Sequence, residues 1–146
     1  MRLSEILRDK PAGAVELPPS ATAIEAAALM KSEKVGAILL RDNQGRLLGL
    51  VSERDLALAI ASHGAALFRM RLSELAAAYP PTANPTDAVR DVTKIMTERR
   101  ARHVPVVDDG RVVGVVSIGD MLKARLAEKT QENAVLLDLA RARIPL

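Results

Sequence analysis

The chain has 146 residues with 49% apolar content, enough to bury the core of one compact domain or two very small ones and to exclude general disorder. It has no cysteine, which removes disulfides, thiolate zinc sites and cysteine nucleophiles, and its two histidines, His63 and His103, are too few for a multi-histidine metal site. Lys and Arg total 21 against 18 Asp and Glu, and the resulting net charge of +3 suits anionic small ligands without demanding nucleic acid.

Met1 to Arg8 lacks the apolar segment of a secretory signal, and Ser4 to Arg8 reads as a short lead-in. Thr22-Ala23-Ile24-Glu25 is a capping-box pattern and predicts a helix running to about Lys31. Gly36-Ala37-Ile38-Leu39-Leu40 reads as a strand, Asp42 to Gly45 as a turn, and Leu47 to Val51 as a strand buried on both faces. Ser52 then opens a helix to about His63. Gly64 to Arg71 reads as a linker, and Leu72 to Ala78 as a second lead-in. The next helix carries Asp91 to Met96, with its cap expected from Thr86 or Asp87 because Ala88 occupies the position of Thr22. His103 to Val107 and Val112 to Val116 repeat the two strands around Asp109-Gly110, and Ser117 opens a helix to about Arg125. The tail, Leu126 to Arg143, has loosely helical apolar spacing at Leu126, Val135, Leu136 and Leu139. No apolar run reaches the ~18 residues needed to cross a bilayer, so a cytoplasmic protein is expected.

The second half repeats the first. Gly45, Gly49, Ser52 and Asp55 recur as Gly110, Gly114, Ser117 and Asp120, all at one constant offset. Glu25 and Met30 recur as Asp91 and Met96 at an offset longer by a single position, and the missing residue falls in the turn, where length variation belongs. The expected fold is α/β, built from two helix–strand–strand–helix repeats. Their expected bounds are 1–63 and 72–125, with 64–71 linking them and 126–146 as a helical tail.

The signature Gly-apolar-apolar-Ser-x-x-Asp occurs as Gly49-Leu50-Val51-Ser52-Glu53-Arg54-Asp55 and as Gly114-Val115-Val116-Ser117-Ile118-Gly119-Asp120. A helix ending in Met precedes each copy, and Arg102-His103-Val104-Pro105 leads into the second. Over roughly residues 2 to 127 this resembles a tandem CBS-domain protein of the stand-alone type. The resemblance implies a pseudo-twofold pair of repeats, each with a short lead-in strand, and two clefts that bind adenosyl ligands such as AMP, ADP, ATP or NAD(H). It also implies association into a homodimer. The family pattern has a Thr shortly before the first helix of each repeat. Thr82 fits it and Glu16 does not, and a carboxylate there disfavours a phosphate, so the two sites are expected to be unequal.

Ser117 sits at a strand-to-helix junction, where backbone N–H groups and the helix dipole favour an anion. Asp120 lies one turn on and accepts hydrogen bonds only, which suits the paired hydroxyls of a ribose. Ser52 and Asp55 repeat this logic, with Arg54 as a phosphate partner. The bland reading of both pairs is a capping box that satisfies its own backbone. Gly36, Ala37 and Ile38 offer small side chains and close backbone approach for an adenine, and Arg102, His103 and Pro105 form the matching segment. Pro105 marks an edge strand on the plainer reading, and His103 is a packing residue or a stacking and proton-sensing one. Arg99, Arg100 and Arg102 suit a helix C-terminus as well as they suit phosphate capture. His63 is given no role.

No catalytic residue, catalytic cofactor or metal ligand is assigned. The chain has no Gly-x-Ser-x-Gly elbow, Walker A loop or Rossmann glycine pattern, so a non-enzymatic module is expected. Two function classes follow: a nucleotide-sensing regulatory module signalling to a separate, unknown protein partner, and a ligand-free structural or oligomerisation module. Nucleic acid is disfavoured as a partner by the small net charge and the 1% aromatic content, which leaves few stacking platforms.

Overall fold

The computed structural model describes residues 1–10, 14–76 and 80–142. Its elements are α1 (Leu3–Arg8), β1 (Glu16–Leu17), α2 (Ala23–Glu33), β2 (Ala37–Arg41), β3 (Leu47–Ser52), α3 (Glu53–His63), α4 (Val89–Arg99), β4 (His103–Asp108), β5 (Arg111–Ser117) and α5 (Ile118–Ala142). The α/β order helix–strand–strand–helix occurs twice. The end of the second lead-in (Ala77, Ala78) and Arg143 to Leu146 of the tail lie outside the described residues.

The capping box of α2 forms, with Glu25 N donating to Thr22 Oγ1 at 3.2 Å and Thr22 N donating to the Glu25 carboxylate at 3.0 Å. The expected cap of α4 does not. Asp87 accepts from Asn84 N at 2.8 Å and Thr86 bonds to the Asn84 side chain, so both hold the preceding turn. The first N–H of α4, on Val89, donates instead to the carbonyl of Met1 at 3.0 Å. Both helices then end in a non-glycine residue in the left-handed region, Lys34 at φ 54° and Arg100 at φ 53°.

β2 and β3 pair antiparallel, as do β4 and β5, in matching register: Ala37 faces Ser52 and Ile38 faces Val51, while His103 faces Ser117 and Val104 faces Val116. Asp109 and Gly110 both have positive φ, as a tight hairpin turn requires. β1 adds to β2 in parallel, whereas among the described residues the segment before α4 contributes to β4 only the bridge Ala83 to Val106. That short bridge explains Pro105. A residue's N–H and C=O point to the same side of a strand, and the Pro105 carbonyl points at Ala83 N, 3.0 Å away. The missing N–H therefore faces the side where the parallel pairing stops. β3 is buried only from Gly49 to Val51, and Leu48 is exposed, against the expectation of a strand buried on both faces from Leu47. β5 instead alternates, with Val112, Gly114 and Val116 buried and Val113 exposed.

Two further expectations change. Residues 64–69 form a 3-10 turn with Leu67 buried against Ala23 and Ala59, so they pack as part of repeat 1. The helix after Ser117 does not stop near Arg125 but continues as one 25-residue element to Ala142. Good helix formers and no Gly or Pro occupy the junction, so nothing breaks it.

The lead-ins are exchanged. Arg2-Leu3-Ser4-Glu5 and Arg71-Leu72-Ser73-Glu74 are the same tetrapeptide, and each caps itself, Arg2 N to Glu5 at 2.7 Å and Arg71 N to Glu74 at 2.9 Å. Leu3 is fully buried in the core of repeat 2, with Val89, Val92, Val104, Val116 and Met121. Leu72 is fully buried in the core of repeat 1, with Ala26, Met30, Ile38, Leu40 and Val51. The backbone repeats the exchange bond for bond. Leu3 N donates to Asp87 O and Ser4 N to Pro85 O, while Leu72 N donates to Ala21 O and Ser73 N to Pro19 O. Leu7 packs so closely over β5 that a Cβ on Gly114 would lie 2.7 Å from its methyl group. The duplicated pattern follows chain order, and the two cores cross it. A third cluster, Leu39, Leu50 and Val112 with Ala37, Leu47, Val107 and Val115, joins the sheets.

Leu72→Ala is expected to cost about 2–5 kcal/mol, as for a fully buried leucine in a closed core, although Leu72 precedes repeat 2 in sequence. Urea denaturation measures this. A loss below about 1 kcal/mol would contradict the exchanged packing.

Candidate functional site

Two clefts open between the repeats, and each takes one wall from each repeat. The first, about 390 Å³, has Ser52, Arg54 and Asp55 at the start of α3 facing Arg100, Arg102 and His103 at the start of β4. The second, about 530 Å³, has Ser117 and Asp120 at the start of α5 facing Lys34, Gly36 and Ala37 at the start of β2. His103 lines both. Its ring lies where it would meet a Cβ on Gly36 at 3.1 Å, so the absence of a side chain at Gly36 lets the histidine cross from one repeat to the other.

Both Ser–Asp pairs form capping boxes. Asp55 N donates to Ser52 Oγ at 3.2 Å and Ser52 N to Asp55 Oδ2 at 2.8 Å, and the Ser117 pair repeats this at 3.1 and 2.8 Å. The plain reading of these residues is thus realised, and it leaves room for a ligand. All bonds described for both carboxylates fall on Oδ2, so among the described residues Oδ1 is left to accept from a ribose hydroxyl. The first helical N–H is already used, Glu53 N by Gly36 O and Ile118 N by Arg102 O. The third is capped. The second, on Arg54 or Gly119, has no described partner and is the one directed at an anion. Gly119 carries no side chain there, whereas Arg54 lines the first cleft.

The clefts differ in charge. The first gathers Arg54, Arg99, Arg100 and Arg102 against Glu53 and Asp55. The second balances Lys10 and Lys34 against Glu33 and Asp120. There Lys10 Nζ donates to Asp120 Oδ2 at 2.7 Å and to Val115 O at 2.8 Å. Burial pushes the Asp120 carboxyl upward, but the Lys10 and Ser117 hydrogen bonds outweigh it and hold the group below its ordinary range. His103 is displaced downward, first by burial and then by Lys10 and Arg102, against the opposing pull of Glu53 and Asp120.

Nine of the twelve candidate ligand residues line a cleft: Ser52, Arg54, Asp55, Arg102 and His103 the first, and Gly36, Ala37, Ser117 and Asp120 the second, which His103 shares. Three do not, among the described lining residues. Ile38 is fully buried in the core of repeat 1, because strand alternation turns it away from the cleft that Ala37 faces. Pro105 is buried within β4, two residues beyond His103. Thr82 is exposed beside Pro81, which does line the first cleft. Glu16 also leaves the expected position. Its carboxylate lies 2.7 Å from Arg41 Nε, and its neighbours Ala14 and Val15 line the second cleft instead. Lys34, Glu53 and Lys10 are added. Lys34 and Arg100 are matched cations closing matched helices, in the same register as Met30 and Met96, a pattern visible in the sequence. Nothing in the sequence signals Lys10, which is far from its partner Asp120 along the chain.

The family model for the CBS domain matches residues 3–62 and 72–127. A CBS domain-containing protein, YhcV of Bacillus subtilis, is 32% identical over 117 residues, which cover 80% of this chain and 82% of that one. The crystal structure of the CBS-domain containing protein ATU1752 from Agrobacterium tumefaciens superposes with a TM-score of 0.83 at 34% identity, covering 86% and 99% of the two chains. A CBS domain protein from Pyrobaculum aerophilum, PAE2072, complexed with AMP, superposes with a TM-score of 0.73 at 36% identity, covering 82% and 89%.

His103 is expected to titrate below its ordinary value of 6.5 in an NMR pH series. Between its folded and unfolded values the unfolded chain binds more protons, so stability falls as pH drops through that window and is level outside it. Glu53→Gln should move the midpoint further down, and Lys10→Met should move it up. A midpoint at or above 6.5 would contradict the burial of the ring.

Proposed function

The chain belongs to the CBS-domain family, and from that premise we propose that it is a regulatory module that binds an adenosyl ligand in the clefts between its repeats and signals to a separate partner protein. One observation carries this reading: each cleft is built from the helix entry of one repeat and the strand entry of the other, so a bound molecule touches both repeats at once. A ligand that prefers one arrangement of the repeats then shifts the population toward it, and a partner reads the shift. The chemistry of the walls suits a nucleotide. A carboxylate oxygen accepts from the ribose, a serine and one backbone N–H meet a phosphate, and Gly36 and Ala37 admit a flat base. AMP, ADP, ATP and NAD(H) all carry these parts. No step calls for a catalytic group or a metal.

The module is read as working in the cytoplasm, as a homodimer. No helix among the described residues is long and apolar enough to cross a membrane. A second reading, a ligand-free oligomerisation module, draws on α5, whose Leu122, Leu126, Leu136 and Leu139 are exposed.

A thermal-shift panel of AMP, ADP, ATP, NAD⁺, NADH and S-adenosylmethionine separates the two. At about 100 times Kd, a ligand bound only by the folded chain adds about 2.7 kcal/mol and raises the midpoint clearly. Asp55→Asn and Asp120→Asn keep a polar cap yet each should weaken binding roughly tenfold in its own cleft by calorimetry. No rise with any adenine compound favours the oligomerisation module.

A further inference from the structure

Among the described residues His103 alone lines both clefts. It opens β4 opposite Ser117, and its half-buried ring crosses to Gly36 at the approach to β2. The point that a Cβ on Gly36 would occupy is 3.1 Å from His103 Nε2 and 3.3 Å from Glu53 Oε1. The imidazole and a carboxylate of the first cleft thus converge over a glycine of the second. Repeat 1 has no counterpart of this ring, because Ala37 faces Ser52 where His103 faces Ser117. A single titratable group therefore stands between two otherwise matched spaces. Charges face it from every side. Glu53 acts from α3, Asp120 from α5, Lys10 from the segment after α1, and Arg102 from the preceding residue. Farther out are Arg54, Asp55, Arg99 and Arg100 in the first cleft, and Glu33 and Lys34 in the second. No hydrogen bond is described for either ring nitrogen, so the ring can take up a proton without breaking one.

We propose that His103 couples the two clefts, so that an anionic nucleotide bound in one protonates this shared ring and strengthens anion binding in the other. The inference rests on the adenosyl reading of the clefts. In the empty protein at neutral pH the ring is uncharged, since burial and the cations Lys10 and Arg102 disfavour the imidazolium. A phosphate entering either cleft reverses that balance, because it brings negative charge beside the ring. The imidazolium then presents its charge to the opposite cleft as well, and the second anion meets a cation that the first did not find. By linkage the effect is reciprocal, so each cleft raises the affinity of the other by the same factor. The coupling is greatest below neutral pH and fades as pH rises, when the ring stays neutral with ligand bound.

NMR on the full chain tests this. Asp120→Asn leaves the Ser52 cleft to bind and Asp55→Asn leaves the Ser117 cleft. The pH midpoint of the His103 ring is followed in each variant, first alone and then with saturating AMP or NAD⁺. Both midpoints are expected to rise by about one pH unit on binding. The midpoint of His63, which lines neither cleft, should stay in place. A rise of that size means that the protonated ring binds the nucleotide about tenfold more tightly than the neutral one. In the unaltered chain near pH 6, the second nucleotide should then gain about threefold over its affinity in His103→Gln, which keeps any repulsion between the two ligands but removes the proton. A midpoint that moves in only one cleft variant, or in neither, overturns the coupling and leaves adenosyl binding intact. Failure of both AMP and NAD⁺ to bind the unaltered chain overturns the adenosyl reading, and the coupling with it.

Discussion

Everything in this molecule depends on the exchange of two leucines. Neither repeat closes its core from its own strands and helices, because the fully buried Leu3 fills repeat 2 and the fully buried Leu72 fills repeat 1. With Phe68 and Tyr79 as the sole aromatic residues, no large ring is available to plug such a gap from within. The lead-ins also satisfy backbone groups that the helices leave open. The first N–H of α4 is met by Met1 and that of α2 by Met70, which is why α4 can begin without a side-chain cap. Packing and hydrogen bonding thus impose the same crossing.

The clefts inherit it. Because the repeats are locked face to face by Leu39, Leu50 and Val112 and crosswise by the lead-ins, the entry of each helix confronts the entry of the opposite strand pair. The exchange also delivers Lys10. It leaves α1 already seated in repeat 2, and so arrives at Asp120 from a segment that precedes repeat 1. Matched strand registers and matched exchange bonds therefore coexist with two chemically different sites, one rich in guanidinium groups and one where the ammonium of Lys10 bonds Asp120.

The duplication and the α/β order were legible because they rest on local signals: glycine at the turns, serine at the strand ends, apolar runs between. The matched pairs Ser52 with Asp55 and Ser117 with Asp120 could be read for the same reason, since a capping box is a short-range pattern. Ile38 was misplaced by treating a strand segment as one surface, when alternation sends neighbours to opposite faces, whereas Pro105 shares the face of His103 but is buried two residues deeper into β4. The missing break at Arg125 was a boundary error, of the kind expected when a repeat ends inside a run of helix formers. Lys10 and the exchange of lead-ins lay beyond reach for a different reason. The tetrapeptide Arg-Leu-Ser-Glu appears twice, but nothing local says that each copy serves the distant half, because that choice belongs to chain closure in three dimensions.

Lys10 also bears on how such a pair diverges. Two identical single repeats, associated in the same crossed manner, would necessarily present twin pockets, since any change would appear in both. Joining them in one polypeptide removes that restriction. A substitution in the first lead-in alters one pocket and leaves the other untouched, so the linkage between the halves is what permits the protein to hold two different questions in one symmetrical frame.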